Sequence, residues 1–423
     1  MVGEKEKVFL VVIDYELTRG WQIDEVAREM EELVLACYGD VVETLICRLE
    51  KPTAAYFLGK GKVQELAALC AQLEVDTMVF SHDLKGSQQR NLEEILKVKT
   101  IDRTQLILDI FVRHATSQEG KMQVELAQLE YLLPRLVGKG IALSRLGGGI
   151  GTLGPGETKL EVDRRRIGER IAKLKKNLKE LSFSRATKRK KRHDLSLPLI
   201  SLVGYTNAGK STLLNRLTGA EQLVRDGLFT TLDSLSRQCV LPNRQKVILS
   251  DTVGFMHNLP HNLIEAFKAT LEEVVFADML LLVLDVSDVH FRNRHNAVLE
   301  VLKELGADQK LIITVLNKID LIDDRAWLSE LKSICQHPVA ISAGTGEQVE
   351  ELLRTIQRLL GEFVTEVDVT LPISRMDLVH RAYSEGQVSA VKYYNEAIYL
   401  RASVPSKTAS FYYNGQISKP EES

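Results

Sequence analysis

The chain has 423 residues, 44% hydrophobic and 26% charged, with 10 prolines and 27 glycines, which suits several folded domains and excludes a single small module, a disordered chain and a collagen-like one. Its longest uninterrupted apolar runs, Val8 to Ile13 and Met279 to Leu284, are six residues each, far short of the roughly 20 that cross a bilayer, and the first residues lack a signal-peptide pattern, so a cytoplasmic protein is expected. Net charge is −2, yet the segment from Arg164 to Arg192 holds 14 basic residues against two acids, a local +12 that leaves −14 on the rest; that concentration points to a polyanionic partner.

Residues 1 to 104 alternate short β-like runs with helical ones. Val8 to Ile13 is followed by an amphipathic stretch, Asp24 to Cys37, whose Ile23, Val26, Met30, Leu33 and Val34 share one face. Val41 to Leu49, Ala54 to Leu58 and Thr77 to Phe80 read as strands, and Val63 to Leu73 and Ser87 to Leu96 as helices. The expectation is a small α/β subdomain. Next, Met122, Leu126, Leu129, Leu133 and Leu136 form one helical seam, and Leu160, Ile167, Ile171, Leu174, Leu178 and Leu181 another. The glycine-rich stretch Gly138 to Gly156 separates them and cannot continue either helix. An antiparallel helical hairpin is expected, its first helix kinked or ended near Leu133 by Pro134. Ser182 to Asp194, basic and without apolar period, reads as a linker. From Leu197 the pattern changes: Lys246 to Leu249, Leu280 to Leu284, Leu311 to Leu316 and Val339 to Ile341 read as strands alternating with helices, the mark of a parallel sheet with crossovers. A strand from Glu366 to Ile373, a helix from Met376 to Tyr383 and alternation from Val388 to Val404 make a small α+β C-terminal domain. The fold class is therefore α/β, with domains expected over 1–104, 105–194, 195–364 and 365–423.

Gly204-Tyr205-Thr206-Asn207-Ala208-Gly209-Lys210-Ser211 matches G-x-x-x-x-G-K-S/T between an expected strand and the helix that Thr212 continues. Its amides would cradle phosphate oxygens, Lys210 would reach the β- and γ-phosphates, and Ser211 would ligate Mg²⁺. Asp251-Thr252-Val253-Gly254 follows a strand, so Asp251 would face the metal and the Gly254 amide the γ-phosphate. Asn317-Lys318-Ile319-Asp320 also follows a strand. A carboxylate there accepts from N1 and the exocyclic amine of guanine, a pair that adenine does not present. Ser342-Ala343-Gly344 stands where a backbone amide would meet guanine O6. Phe229-Thr230-Thr231-Leu232-Asp233 lies between the first two motifs, where a threonine closes on Mg²⁺ and γ-phosphate; Thr231 is favoured over Thr230. The order of these elements defines a translation-factor-type GTPase domain with GTP as substrate and Mg²⁺ held by Ser211, Thr231 and Asp251; Lys210, Thr231 and Gly254 are the expected catalytic groups. After Gly254 comes Phe255 in place of a water-orienting glutamine, so slow intrinsic hydrolysis completed by a partner surface is expected. His257 and His261 are read as solvated loop histidines. Cys37, Cys47, Cys70, Cys239 and Cys335 are scattered and never in CxxC spacing, which favours buried free thiols over disulfides or zinc.

Leu58-Gly59-Lys60-Gly61-Lys62, Glu119 to Leu129, Arg145 to Thr152 and Gly154 to Glu161, followed by the GTPase motifs, resemble HflX, the bacterial ribosome-associated GTPases; Asp251 to Phe255 fits this family's hydrophobic residue after the glycine. The resemblance covers roughly residues 5 to 365. It implies an N-terminal α/β subdomain, a helical hairpin, a GTPase domain and binding to the large ribosomal subunit, with ribosome splitting, rescue or biogenesis as the role. The basic segment, with Arg135, Lys139 and Arg145 near the glycine-rich loop, fits contacts to rRNA phosphates. A monomer is expected. Two alternatives stand beside this reading: an ATP-driven RNA-remodelling enzyme using the N-terminal domain, where Leu58 to Lys62 would bind a second nucleotide in place of forming a simple turn, and a non-ribosomal signalling GTPase.

Overall fold

The computed structural model of the chain describes residues 5–15, 21–136, 159–194, 197–219, 229, 235–256, 268–322, 327–361 and 364–417. Strand β1 (Lys7–Asp14) is apolar at six consecutive positions because it is buried on both faces, as a parallel strand between helix layers must be. It pairs in parallel with β2 (Asp40–Arg48) and β3 (Thr77–Phe80), and β4 (Lys99–Asp102) completes a sheet of order β2-β1-β3-β4. Alternate β1 residues take opposite sides. Val8, Leu10 and Val12 meet Met30, Leu33 and Val34 of α1 (Ile23–Ala36). Phe9, Val11 and Ile13 meet Val63, Leu66 and Cys70 of α2 (Lys60–Leu73) and Leu92 and Leu96 of α3 (Gly86–Leu96). Expected strand Ala54 to Leu58 is not one: Thr53 and Phe57 bridge across a tight turn in which Phe57 has φ +67°.

Helix α4 (Arg103–His114) follows, capped by Asp102, whose side chain accepts from the Gln105 amide. Helix α5 (Gln118–Leu132) ends in a 3-10 turn, Leu133–Leu136, as Pro134 requires. Its seam packs on α6 (Lys159–Asp194), with Glu125 bonded to Arg170 and Glu130 to Lys175 beside it. Helix α6 runs through the whole of Ser182 to Asp194, which corrects the linker expected there: lysine and arginine are good helix formers even without an apolar period. The glycine-rich loop lies outside the described residues. Arg135 is not a surface group awaiting RNA. Its guanidinium donates to the Asp102 carboxylate at 2.9 Å and to the Leu84 carbonyl at 2.7 Å, and it stacks on the Tyr131 ring. It ties the end of α5 to β4 and to the turn before α3.

The second sheet has order β10-β9-β8-β5-β7-β6. Its strands are β5 (Leu199–Gly204), β6 (Leu235–Val240), β7 (Lys246–Asp251), β8 (Met279–Asp285), β9 (Leu311–Asn317) and β10 (Val339–Ala340). All neighbours run parallel except β6 and β7. Helices α7 (Lys210–Thr218) and α11 (Val349–Gly361) cover one face; α8 (Lys268–Phe276) and α9 (Phe291–Glu304) belong to the other, with α10 (Leu328–Ile334) at the β9 side. The core on that second face is continuous with the α1 and α4 side of the N-terminal unit. The chain ends in an antiparallel sheet, β11 (Val364–Pro372), β13 (Ala397–Pro405) and β12 (Gln387–Tyr393), covered on one face by α12 (Met376–Glu385) and α13 (Ser406–Asn414). Three cysteines are buried, but Cys37 and Cys335 are only partly so; all five are free thiols.

Candidate active site

A parallel sheet leaves a crevice beyond the carboxyl ends of its strands, and the motif residues converge there. Strand β5 runs into the phosphate loop, and α7 starts at Lys210. Two glycines are dictated by geometry. A Cβ on Gly204 (φ +153°) would lie 2.2 Å from the Val283 carbonyl oxygen, and one on Gly209 (φ +92°) would lie 2.3 Å from Asn317 Nδ2. Asn207, exposed at φ +61°, is a residue type that tolerates the left-handed region.

Lys210 is buried, and its Nζ donates to the carbonyls of Gly204 at 3.1 Å and Tyr205 at 2.8 Å. Burial lowers its pKa to about 8, a fall partly opposed by the Asp251 carboxylate. Ser211 donates to Asp251 at 2.6 Å, so hydroxyl and carboxylate meet at the end of β7. Both are hard oxygen donors of the kind Mg²⁺ takes. Thr252 donates to the Leu202 carbonyl at 2.7 Å and anchors the turn that carries Val253 and Gly254. The Thr206 hydroxyl, in the loop itself, is buried without a partner among the described residues, and Thr212 is half-buried in the first turn of α7.

Asn317 joins the phosphate and base sides. Its Nδ2 donates to the Ala208 carbonyl at 2.8 Å, and its Oδ1 accepts from the Ala343 amide at 2.9 Å. That amide is thus engaged within the protein, which the sequence did not foretell. Lys318 pairs with Asp285 at 2.7 Å, while Asp320 stands exposed in the following turn. Ser342 is fully buried and accepts from the Thr345 amide at 3.0 Å; Gly344 is exposed. Arg216, in the last turn of α7, donates to the Ala343 carbonyl at 3.2 Å and also to that of Gly344. Arg216 and Asp285 were missed in the sequence, where only the basic residue at a helix C-terminus was a usable signal. Phe229 is buried. Thr230, Thr231, Leu232, Asp233, His257 and His261 lie outside the described residues.

Family models match in succession: a GTP-binding GTPase N-terminal region over residues 24–112, a GTP-binding GTPase middle region over 114–192, a 50S ribosome-binding GTPase over 199–318 and an HflX C-terminal domain over 329–402. A GTPase HflX from Caldanaerobacter subterraneus subsp. tengcongensis is 43% identical over 404 residues, covering 96% of this chain and 92% of its own. The chain belongs to the HflX GTPase family. The GTPase HflX of Escherichia coli is 40% identical over 358 residues, 84% of each chain. A crystal structure of a GTP-binding protein from Sulfolobus solfataricus in complex with GDP is similar at 25% identity and a TM-score of 0.44, covering 84% of this chain and 99% of that one. This HflX-family chain is a GTPase: GTP is its substrate and hydrolysis its reaction. Among the described residues no helix is long and apolar enough to cross a membrane.

Proposed function

We propose that the chain is a cytoplasmic GTP-driven switch, working as a monomer, that binds the large ribosomal subunit through rRNA and acts in ribosome splitting, rescue or biogenesis. The observation that carries this reading is α6: one continuous 36-residue helix concentrates the basic residues, and Lys173, Lys176 and Lys179 on it are exposed. Such a row neutralises phosphates without reading bases. Within the GTPase site, Lys210 holds the β- and γ-phosphates, the Gly254 amide faces the γ-phosphate, and Thr231 is the threonine that responds to it. Amides of the phosphate loop from Tyr205 to Thr212 cradle the phosphates, and Asp320 selects guanine with the loop Ser342 to Gly344 beside it. Phe229 to Asp233 and Asp251 to Gly254 respond to the γ-phosphate. Ser211, Asp251 and Thr231 would hold Mg²⁺, which would supply charge neutralisation to the bound triphosphate. Phe255 is buried and offers water no hydrogen bond, so the ribosome is the surface that completes catalysis. Sedimentation of the full chain through sucrose gradients tests this. Co-migration with large subunits is expected with a non-hydrolysable GTP analogue and release with GDP; absence from the large-subunit fractions with either nucleotide would refute it.

A further inference from the structure

Arg216 belongs to none of the nucleotide-binding motifs, yet it is tied to one of them. It stands in the last turn of α7, whose first residues are Lys210 and Ser211. From there its guanidinium reaches the loop after β10 and donates to two successive carbonyls, from Nε to that of Ala343 at 3.2 Å and from a terminal nitrogen to that of Gly344. A Cβ on Gly346 (φ +92°) would sit 3.7 Å from Arg216 Cζ, so the guanidinium lies along the loop. One helix thus begins at the phosphate loop and ends, through Arg216, on the loop that carries Ser342 to Gly344.

Nearly every backbone donor of that loop has a partner. The Ser342 amide donates to the Glu347 carbonyl at 3.0 Å, and the Gly346 amide to the Ser342 carbonyl at 2.9 Å. The Thr345 amide donates to the Ser342 hydroxyl at 3.0 Å, and the Glu347 amide to the Thr345 hydroxyl at 3.3 Å. Asn317 Oδ1 accepts from the Ala343 amide. From 342 to 347, the Gly344 amide is the one that meets no acceptor among the described residues. Arg216 sets its direction. The peptides here are trans, and a trans peptide points its N–H away from its C=O; the carbonyl of Ala343 faces Arg216, so the N–H of the same peptide, that of Gly344, faces away from it.

We infer that Arg216 is a positioning residue for base recognition, which holds the Ala343–Gly344 peptide so that the Gly344 amide donates to guanine O6. This rests on the reading that the loop Ser342 to Gly344 lies beside the base. The 6-position is where guanine carries an acceptor and adenine a donor, so a fixed amide there favours the first and is left unpaired against the second. Asp320 reads the other edge groups, N1–H and the exocyclic amine. Loss of the guanidinium leaves two carbonyls without their donor and lets the peptide turn, which takes the amide away from the 6-oxo group. A merely structural contact would weaken all nucleotides alike, whatever they carry at that position.

The test uses the full chain, with GDP, IDP and 2-aminopurine riboside diphosphate as ligands in calorimetry. IDP keeps O6 and lacks the exocyclic amine; the 2-aminopurine nucleotide keeps the amine, has hydrogen in place of O6 and carries no proton on N1. Arg216→Ala should weaken GDP and IDP by about tenfold each, the effect of losing a charge-assisted hydrogen bond, and leave the 2-aminopurine nucleotide as in the wild type. Arg216→Lys keeps the charge and can reach one carbonyl, so its losses should be intermediate. Arg216 is exposed, so neither variant opens the core. Equal losses for all three ligands in Arg216→Ala, or no loss for GDP, would overturn the inference while the base reading stands. A wild-type chain that binds the 2-aminopurine nucleotide as tightly as GDP would instead overturn the reading that this loop lies beside the base, and the inference with it.

Discussion

At the scale of single residues, Lys210 has the sharpest chemistry. Burial depresses its pKa to about 8 in the folded chain, below the ordinary value of 10.5. The unfolded chain therefore binds more protons between those values, and the cost of burying this ammonium falls as pH rises through that window. Phosphates favour the charged form. Nucleotide binding should accordingly take up a fraction of a proton near pH 9, where free protein is largely neutral at Lys210, and much less at pH 7. Calorimetry in buffers of different ionisation enthalpy reads this directly, and equal uptake at both pH values would show that Lys210 does not meet the phosphates. Removing the amine is harsher: Lys210→Ala should abolish GTP binding, since no other side-chain cation is assigned to the β- and γ-phosphates. Asp320 gives a test of base reading. Asp320→Asn replaces an acceptor by an amide, so GTP should weaken and xanthosine triphosphate, with a carbonyl in place of the exocyclic amine, should gain. Competition between the two nucleotides measures it, and an unchanged preference would assign the base to other groups.

At the scale of elements, legibility followed chemistry. The phosphate loop was readable because backbone close to phosphate demands glycine, and the two required glycines now show contacts of 2.2 and 2.3 Å for any added Cβ. Strands β1 and β8 were readable because burial on both faces leaves unbroken apolar runs. Strand β6, reading Leu-Ser-Arg-Gln-Cys-Val at a half-exposed edge, carries no such run and was missed. The polar end of α6 hid behind its missing period, and Phe57 sits in a turn that no apolar count reveals. Arg135 was misread for a different reason: its partner Asp102 is 33 positions away, a pairing that only the fold makes. Asp102 is almost wholly buried, and burial pushes its carboxyl above the usual range although Arg135 and two backbone amides, those of Gln105 and Leu84, pull it down. Arg135→Gln leaves that carboxylate without its counter-charge, a loss of about 3 kcal/mol for a buried pair. Hydrogen exchange of β4 and α5 amides should speed up by about a hundredfold, with β11 to β13 unaffected. Unchanged exchange would mean that Tyr131 and the amides alone hold Asp102.

At the scale of the whole molecule, charge and apolar surface divide the labour between α6 and the N-terminal unit. The apolar core of the N-terminal unit runs from the α1 and α4 side into the GTPase domain, while the basic residues are concentrated on α6. The acidic remainder of the chain would repel a polyanion, so a long-range attraction must come from that helix and should be screened by salt. Lys176 and Lys179 are exposed on it. The double variant Lys176→Glu with Lys179→Glu should weaken binding to large subunits, and the slope of log affinity against log salt should become shallower by about two, one for each lost phosphate contact. Stimulation of GTP hydrolysis by large subunits should fall in parallel, while hydrolysis without ribosomes and GTP affinity should stay as in the wild type, because both residues lie on α6, outside the cleft. A salt slope equal to the wild type's would place the RNA contact elsewhere, with the glycine-rich loop between α5 and α6 as the next segment to mutate.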